Sequence, residues 1–224
     1  MEDVPLATLL AAGGCGNPLA LTDLLPGEVV LDLGSGGGID ALLSAHRVGP
    51  TGKVYGLETA DEVLALAREG QARTGITNVE FLKGEIENVP LPDNSVDVII
   101  CSGALNLSAD KPRVLAEAFR VLRPGGRLAV SDIVVRGSVA PRIRERVETW
   151  VGCLAGALGD TQFRSYLADA GFDAIEIQPA RIYTLEEMRT LLAGRGEDAE
   201  QVAQGAAGRF MSTFVRAKKC GRLV

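Results

Sequence analysis

Asp32, Gly34, Gly36 and Gly38 occupy alternate positions in the run LDLGSGGG, directly after the apolar stretch VVLDL. Glycines there let the backbone turn tightly and let a ligand lie against the main chain, where a Cβ would stand in the way. A dinucleotide fingerprint would read G-x-G-x-x-G. Gly34, Gly36, Gly37 and Gly38 allow that reading formally, but Asp32 inside the motif is ill placed beside a pyrophosphate. An acid at that point suits a ligand with a cationic amine, such as the amino-acid end of S-adenosylmethionine. Glu58, closing the next apolar stretch, stands where a carboxylate accepts two hydrogen bonds from ribose hydroxyls. The plain alternative is a glycine-rich turn of any α/β protein with an acid placed by chance. Loop, acid and strand phasing agree with one another, which weighs against chance.

A third piece lies in KGEIENVPLPDNSVDVII, where Glu85 and Ile86 are expected to edge and cover an adenine ring. Taken alone, Glu85 reads equally well as a solvated loop acid. Thiols form the other chemical set. Cys15, Cys101, Cys153 and Cys220 are widely separated, which does not make a compact disulfide scaffold. In a reducing compartment such thiols are buried apolar residues, metal ligands or reagents. Cys101 sits at the junction of an apolar stretch and a polar turn in VDVIICSGALNLSADK, two residues before Gly103. At a strand end Cys101, and on a helix Cys153, fit the small buried apolar role that free cysteine most often fills. Cys15, in a glycine-rich stretch with little to pack against, is open to either role, and Cys220 near the C-terminus is given none. His46, the only histidine, reads as a residue near a helix C-terminus rather than as a base, and Trp150 as an anchor in a lid or core or, alternatively, as a side chain facing the acceptor.

These residues need elements to hold them. Apolar runs at 29–33, 53–57, 79–82, 96–100 and 127–133 alternate with helical patterns at IDALLSAHRV, DEVLALAREGQARTG and about 110–122, the last stopping at RPGG. Strand and helix repeated in this way predict a parallel sheet covered on both faces, with ligands at the carboxyl ends of the strands. Farther on, helices are expected near 141–157 and over 161–170, with strands at 174–177 and 210–217. No repeat or linker divides the chain, so a single domain over 1–224 is expected, with lid elements from about 137–208.

The totals exclude several functions. A net charge of −6 argues against nucleic-acid binding, which needs clustered cations. The arginines at 142–146 alternate with Glu145 and Glu148, as on a solvated helix face. No run approaches the roughly 18 apolar residues of a membrane span, and VPLATLLAAGG follows acids rather than the positive segment of a signal peptide. The chain therefore reads as cytoplasmic, with no nucleic-acid or membrane partner. Its oligomeric state is not legible.

From Val29 to Ser131, including LRPGGRLAVSD, the sequence resembles the class I S-adenosylmethionine-dependent methyltransferases. The resemblance implies a Rossmann-like fold: a mostly parallel seven-stranded sheet, helices on both faces, last strand antiparallel. It also implies a cofactor site of Asp32, Gly34, Ser35, Gly36, Gly38, Glu58, Thr59, Gly84, Glu85, Ile86, Cys101 and Asn106. Within that class, GGCGNPLAL at 13–21, NLSADK at 106–111 and GCLAGAL at 152–158 resemble the arsenite methyltransferases. In that family three thiols far apart in sequence converge on trivalent arsenic over the sulfonium methyl, and a thiol reductant supports the reaction. Cys15 and Cys153 match two of them, with residues 1–28 contributing to the acceptor site. The third position is Gly103 here. Cys101, two residues earlier, is displaced by roughly 6–7 Å along an extended chain, so it either substitutes imperfectly or plays no part. The resemblance implies methyl transfer to arsenite or methylarsenite. Two alternatives stand beside it: a small organic acceptor admitted by Gly103, and capture of a metalloid or of the cofactor without turnover.

Overall fold

A computed structural model describes residues 22–150, 154 and 156–221. The expectations placed on Cys15, on Cys153 and on the side chain of Trp150 lie outside the described residues. The chain runs β1 (Val29–Leu33), α1 (Ile39–Val48), β2 (Lys53–Glu58), α2 (Asp61–Thr74), β3 (Val79–Lys83) and β4 (Val96–Ser102). A 3-10 turn at Leu105–Leu107 leads to α3 (Lys111–Val121), β5 (Leu122–Val135), α4 (Pro141–Trp150), β6 (Leu158–Gly159) and α5 (Asp160–Asp169). Next come β7 (Asp173–Ile182), α6 (Leu185–Leu192), α7 (Ala199–Ala206) and β8 (Phe210–Lys218).

One sheet holds the strands in the order β3-β2-β1-β4-β5-β8-β7. All neighbours on this path are parallel except β8, which runs antiparallel to both β5 and β7. The expected seven strands form this path. The two-residue β6, parallel to the end of β5, adds an eighth. Strand order reverses between β1 and β4, so their carboxyl ends splay apart and leave a crevice.

Alternation along the strands divides the core. Leu31, Leu33, Ile99, Cys101 and Val130 point toward α3 and α5, where they meet Val114, Leu115, Phe163 and Leu167. Val30, Val98, Ile100 and Ala129 point the other way, onto Ala41 and Ala45 of α1 and Leu64 and Ala67 of α2. Each large aliphatic or aromatic side chain buried in this way contributes about 1.5–3 kcal/mol. A third cluster joins Ile133, Val135 and Phe210 to Met188 and Leu192 of α6 and Val202 and Ala206 of α7. The helix pair of the segment 184–208 is thus seated on the ends of β5 and β8.

Two elements depart from the sequence pattern. β5 starts at Leu122, inside LRPGG, and absorbs the extra residues in an irregularity between the Val96 and Val98 pairings. β7 continues through Pro179 to Ile182, five residues past its expected end, with a register shift between Pro179 and Arg181. It lies at the sheet edge, where a residue without an N–H costs no ladder bond. No helix among the described residues is long and apolar enough to cross a membrane.

Candidate cofactor and acceptor site

The crevice at the ends of β1 and β4 is a cavity of about 540 Å³, within the range of small-molecule sites. The glycine loop forms one wall. Gly34 has φ +72°, and a Cβ on it would lie 2.4 Å from Cβ of Ala104, so only glycine lets the β1 end approach the β4 end. Ser35 N–H donates to Leu57 O at 2.9 Å and ties the loop to β2. Beside Gly36 and Gly37 the space is open, as a ligand lying against the main chain requires.

Asp32 is 2% exposed and lines this cavity, and its Oδ2 has no hydrogen-bond partner. Burial, then the nearby charges of Asp40 and Glu58, push its carboxyl well above the usual carboxylate range, while the Ala41 backbone N–H pulls the other way. A buried acid with an idle oxygen is costly by itself and is relieved by a cation. Glu58 is held differently. Its Oε1 accepts from Thr59 N at 2.8 Å and Ala60 N at 3.1 Å, and its Oε2 accepts from Gly36 N at 3.2 Å. That leaves acceptor capacity on a carboxylate already fixed in direction.

The loop after β3 forms the opposite wall, and it is held from behind. Arg120 donates to Val89 O, Leu91 O, Asp93 and both oxygens of Glu117, at 2.7–2.9 Å. Glu117 also accepts from Val89 N at 3.0 Å, and the Arg120 guanidinium holds its carboxyl below the ordinary value. Gly84, Ile86 and Glu87 thereby face the cavity. Glu87 accepts from the Ser108 hydroxyl, closing the loop against the 3-10 turn.

Of the expected site residues, Asp32, Gly34, Ser35, Gly36, Glu58, Thr59, Gly84 and Ile86 line the cavity. Gly38, Glu85, Cys101 and Asn106 do not. Gly38 packs behind the loop, where a Cβ would lie 2.5 Å from the Phe81 ring. Glu85 is exposed and Glu87 takes the inward position, because the chain turns back between Glu85 and Asn88. Asn106 is 3% exposed and donates to Asp132 Oδ1 at 2.7 Å and Ile133 O at 2.8 Å, bracing the 3-10 turn on β5. Cys101 is 1% exposed, on the α3 face of β4, and burial pushes its thiol up to about 12, with the nearby Asp132 charge adding to the shift. It is a protonated core side chain. Gly103, beyond the strand end and in the left-handed region at φ +72°, does line the cavity.

Sequence reasoning missed Asp40, Glu87, Ser102, Leu107 and Ser108 as cavity residues. Asp40 had a signal: an acid in the first turn of the helix that follows the glycine loop. The lining fits S-adenosylmethionine, with Asp32 able to accept from an ammonium, Glu58 from a ribose diol, and Ile86 able to cover a ring face.

Comparison with known proteins agrees with this geometry. The family described as "methyltransferase domain" matches residues 24–171. The chain is 45% identical over 166 residues to an arsenite methyltransferase of Halobacterium salinarum, covering 74% of this chain and 42% of that protein. It is 32% identical to the solved structure of CrArsM, an arsenic(III) S-adenosylmethionine methyltransferase from Chlamydomonas reinhardtii, with a TM-score of 0.76 and coverage of 99% of this chain and 73% of that one. The chain belongs to the arsenite methyltransferase family. A human member is 32% identical over 196 residues, covering 83% of this chain and 52% of that protein. The chain spans about half the length of the curated relatives it matches.

Proposed function

We propose that this family member transfers the methyl group of S-adenosylmethionine to trivalent arsenic held by Cys15 and Cys153. The cofactor supplies the electrophilic methyl. Asp32 holds its ammonium, Glu58 its ribose, and Ile86 and Glu87 flank its base. Arsenic(III) is soft and thiophilic, and its lone pair attacks in line without a general base, so orientation and desolvation do the work.

The observation that carries this reading is the placement of Leu154 and Gly156, the first described residues that follow Cys153 in sequence. A Cβ on Gly156 would lie 1.9 Å from Asn106 O, so the backbones touch there. Leu154, next to Cys153 in sequence, is buried under the α6–α7 pair. Gly156 thus lies against the 3-10 turn, and Ala104, Leu107 and Ser108, in and beside that turn, line the cavity. Cys101, protonated inside the core, is not available as the third thiol.

With S-adenosylmethionine, a thiol reductant and arsenite or methylarsenite, the purified protein is expected to yield methylarsenicals. Cys153→Ser is expected to abolish the reaction and Cys101→Ser to leave it in place. An unchanged product yield in Cys153→Ser would sink the role of that thiol.

Gly103 supports a second reading. With no side chain on the cavity wall, it leaves room for a small organic acceptor. In that case arsenite would neither protect the thiols from alkylation nor release S-adenosylhomocysteine.

A further inference from the structure

A second cavity, of about 490 Å³, lies toward the opposite end of the sheet, and its lining includes Thr22, Asp23, Leu25, Ala129, Ala174 and Arg216. It opens on the α1 side of β5, β8 and β7, the side to which Ala129 and Phe214 point. On that side α1 and α2 cover β1, β2 and β3, while α6 and α7 reach only Ile133, Val135 and Phe210. Between them no described helix packs broadly on β8, and Glu176, Gln178 and Arg216 stand exposed. This open strip connects the two cavities. Arg127 pairs with Lys218 at its lower end and Ser131 with Phe214 at its upper end, and Ser131 also pairs with Ser102 on the wall of the cofactor cavity.

The described chain begins at the lower end, where it is clamped. Arg127 Nε donates to Thr22 Oγ1 at 2.6 Å, its Nη2 donates to Asp23 O, and its two Nη atoms bind the two oxygens of Glu28 at 2.7 and 2.8 Å. Glu28 also accepts from Leu25 N at 2.8 Å. The bidentate pair thus fixes residues 22–28 to β5.

Cys15 lies seven residues before Thr22, and seven residues reach at most about 25 Å. The four strand residues from Arg127 to Ser131 span roughly 13 Å. A path round the β7 edge and over the α5 side adds two strand spacings out, two back and the sheet thickness, roughly 30 Å more. Only the direct path up the strip is short enough to bring Cys15 to the cofactor cavity. The intervening GNPLAL carries no charge, and Pro18 restrains itself and Asn17 toward extended backbone, as that span requires. The strip receives it without an unmatched charge at its middle, since Arg216 pairs with Glu176 at 3.8 Å.

We propose that residues 15–21 dock on this strip, and that Arg127 is a positioning residue that delivers Cys15 to the acceptor site from the far end of the sheet. The inference rests on the proposed function, which gives Cys15 its role.

The docking is tested by treating the full chain, with Cys15, Cys153 and Cys220 replaced by serine, with a short bis-maleimide. Ala20→Cys is expected to cross-link within one chain to Arg216→Cys on the strip and not to Gln162→Cys on α5. Equal cross-linking to both, cross-linking only between two chains, or none at all would overturn the docking. In the otherwise native chain, Arg127→Met is expected to weaken arsenite binding about tenfold by freeing the tether. Its affinity for S-adenosylmethionine should stay unchanged, both being read by calorimetry. Arg127→Lys should recover part of the loss, and Thr22→Val should show the same split at smaller size. Unchanged arsenite affinity in Arg127→Met would overturn the positioning role, as would parallel loss of both affinities, the mark of a merely structural residue. A wild type that cross-links as expected yet binds no arsenite would overturn the proposed function and leave the docking standing.

Discussion

Asp32 and Cys101 stand near the ends of neighbouring parallel strands, one residue apart in register, since Leu33 pairs with Cys101. They are 2% and 1% exposed, and burial pushes the titration of each above its ordinary value. By burial and by shifted titration alone they look alike. They differ in the face they occupy. Asp32 lines the cavity with an unpartnered oxygen, whereas Cys101 points to the α3 side among Leu31, Leu33, Leu105 and Val130. A perturbed pKa marks a candidate site only when the group can meet a ligand. One residue of strand phase separates a side chain on the cavity wall from one in the core.

The largest effect that sharpens this comparison is expected from Asp32→Asn. Losing the charge-assisted bond to the ammonium should weaken cofactor binding about a hundredfold, measured by calorimetry. The ligand-free protein should become more stable by about 1–3 kcal/mol at neutral pH, because a buried unpaired charge is removed. The sign follows from linkage. A carboxyl whose folded pKa lies above its unfolded value binds more protons in the folded state, so stability falls as pH rises above the ordinary carboxylate value. Urea denaturation should show that fall in the wild type, and a shallower one in Asp32→Asn. A ligand-free Asp32→Asn protein less stable than the wild type would contradict the account of Asp32 as a strained acid.

An intermediate effect is expected at the other strand end. Gly103 has φ +72°, where a Cβ is strained, so Gly103→Cys should cost about 1–2 kcal/mol, seen as a lower melting temperature. Under the proposed function the same variant should bind arsenite more tightly, because it adds a thiol on the cavity wall. Stability and arsenite affinity would then move in opposite directions.

The smallest effect belongs to Cys101→Ala. It should lose about 1 kcal/mol of stability through the small void and leave cofactor affinity unchanged. In the native protein Cys101 should resist alkylation at pH 8, well below the value of about 12 to which burial pushes its thiol. Rapid labelling there would break the contrast with Asp32.

Local pattern carried most of the α/β frame. The alternation of apolar strand and amphipathic helix, with Gly75 closing α2 and Asp110 capping α3, is written within windows of a few residues. The glycine loop, Asp32 and Glu58 were legible for the same reason: each follows directly from the end of a strand. Legibility failed where a residue's role depends on the turn beyond the strand. Glu85 and Glu87 flank Ile86 in sequence alike, and only the turn to Asn88 brings Glu87 inward. The strand expected at 174–177 stops short of Ile182 because the sequence does not say that β7 lies at the sheet edge, where Pro179 is tolerated.

The sequence by itself determined which residues could serve: an acid beside the glycines, an acid at the end of β2, and thiols in family-like segments. Tertiary structure decided which of them face the cavity. Strand alternation put Cys101 in the core, the left-handed turn put Gly103 on the cavity wall, and the entry of α1 put Asp40 beside Asp32. The physical reason is the same in each case. Residue type sets what chemistry a side chain can do, but solvent exclusion and neighbouring charge come from segments distant in sequence, and these arrive only when the sheet closes.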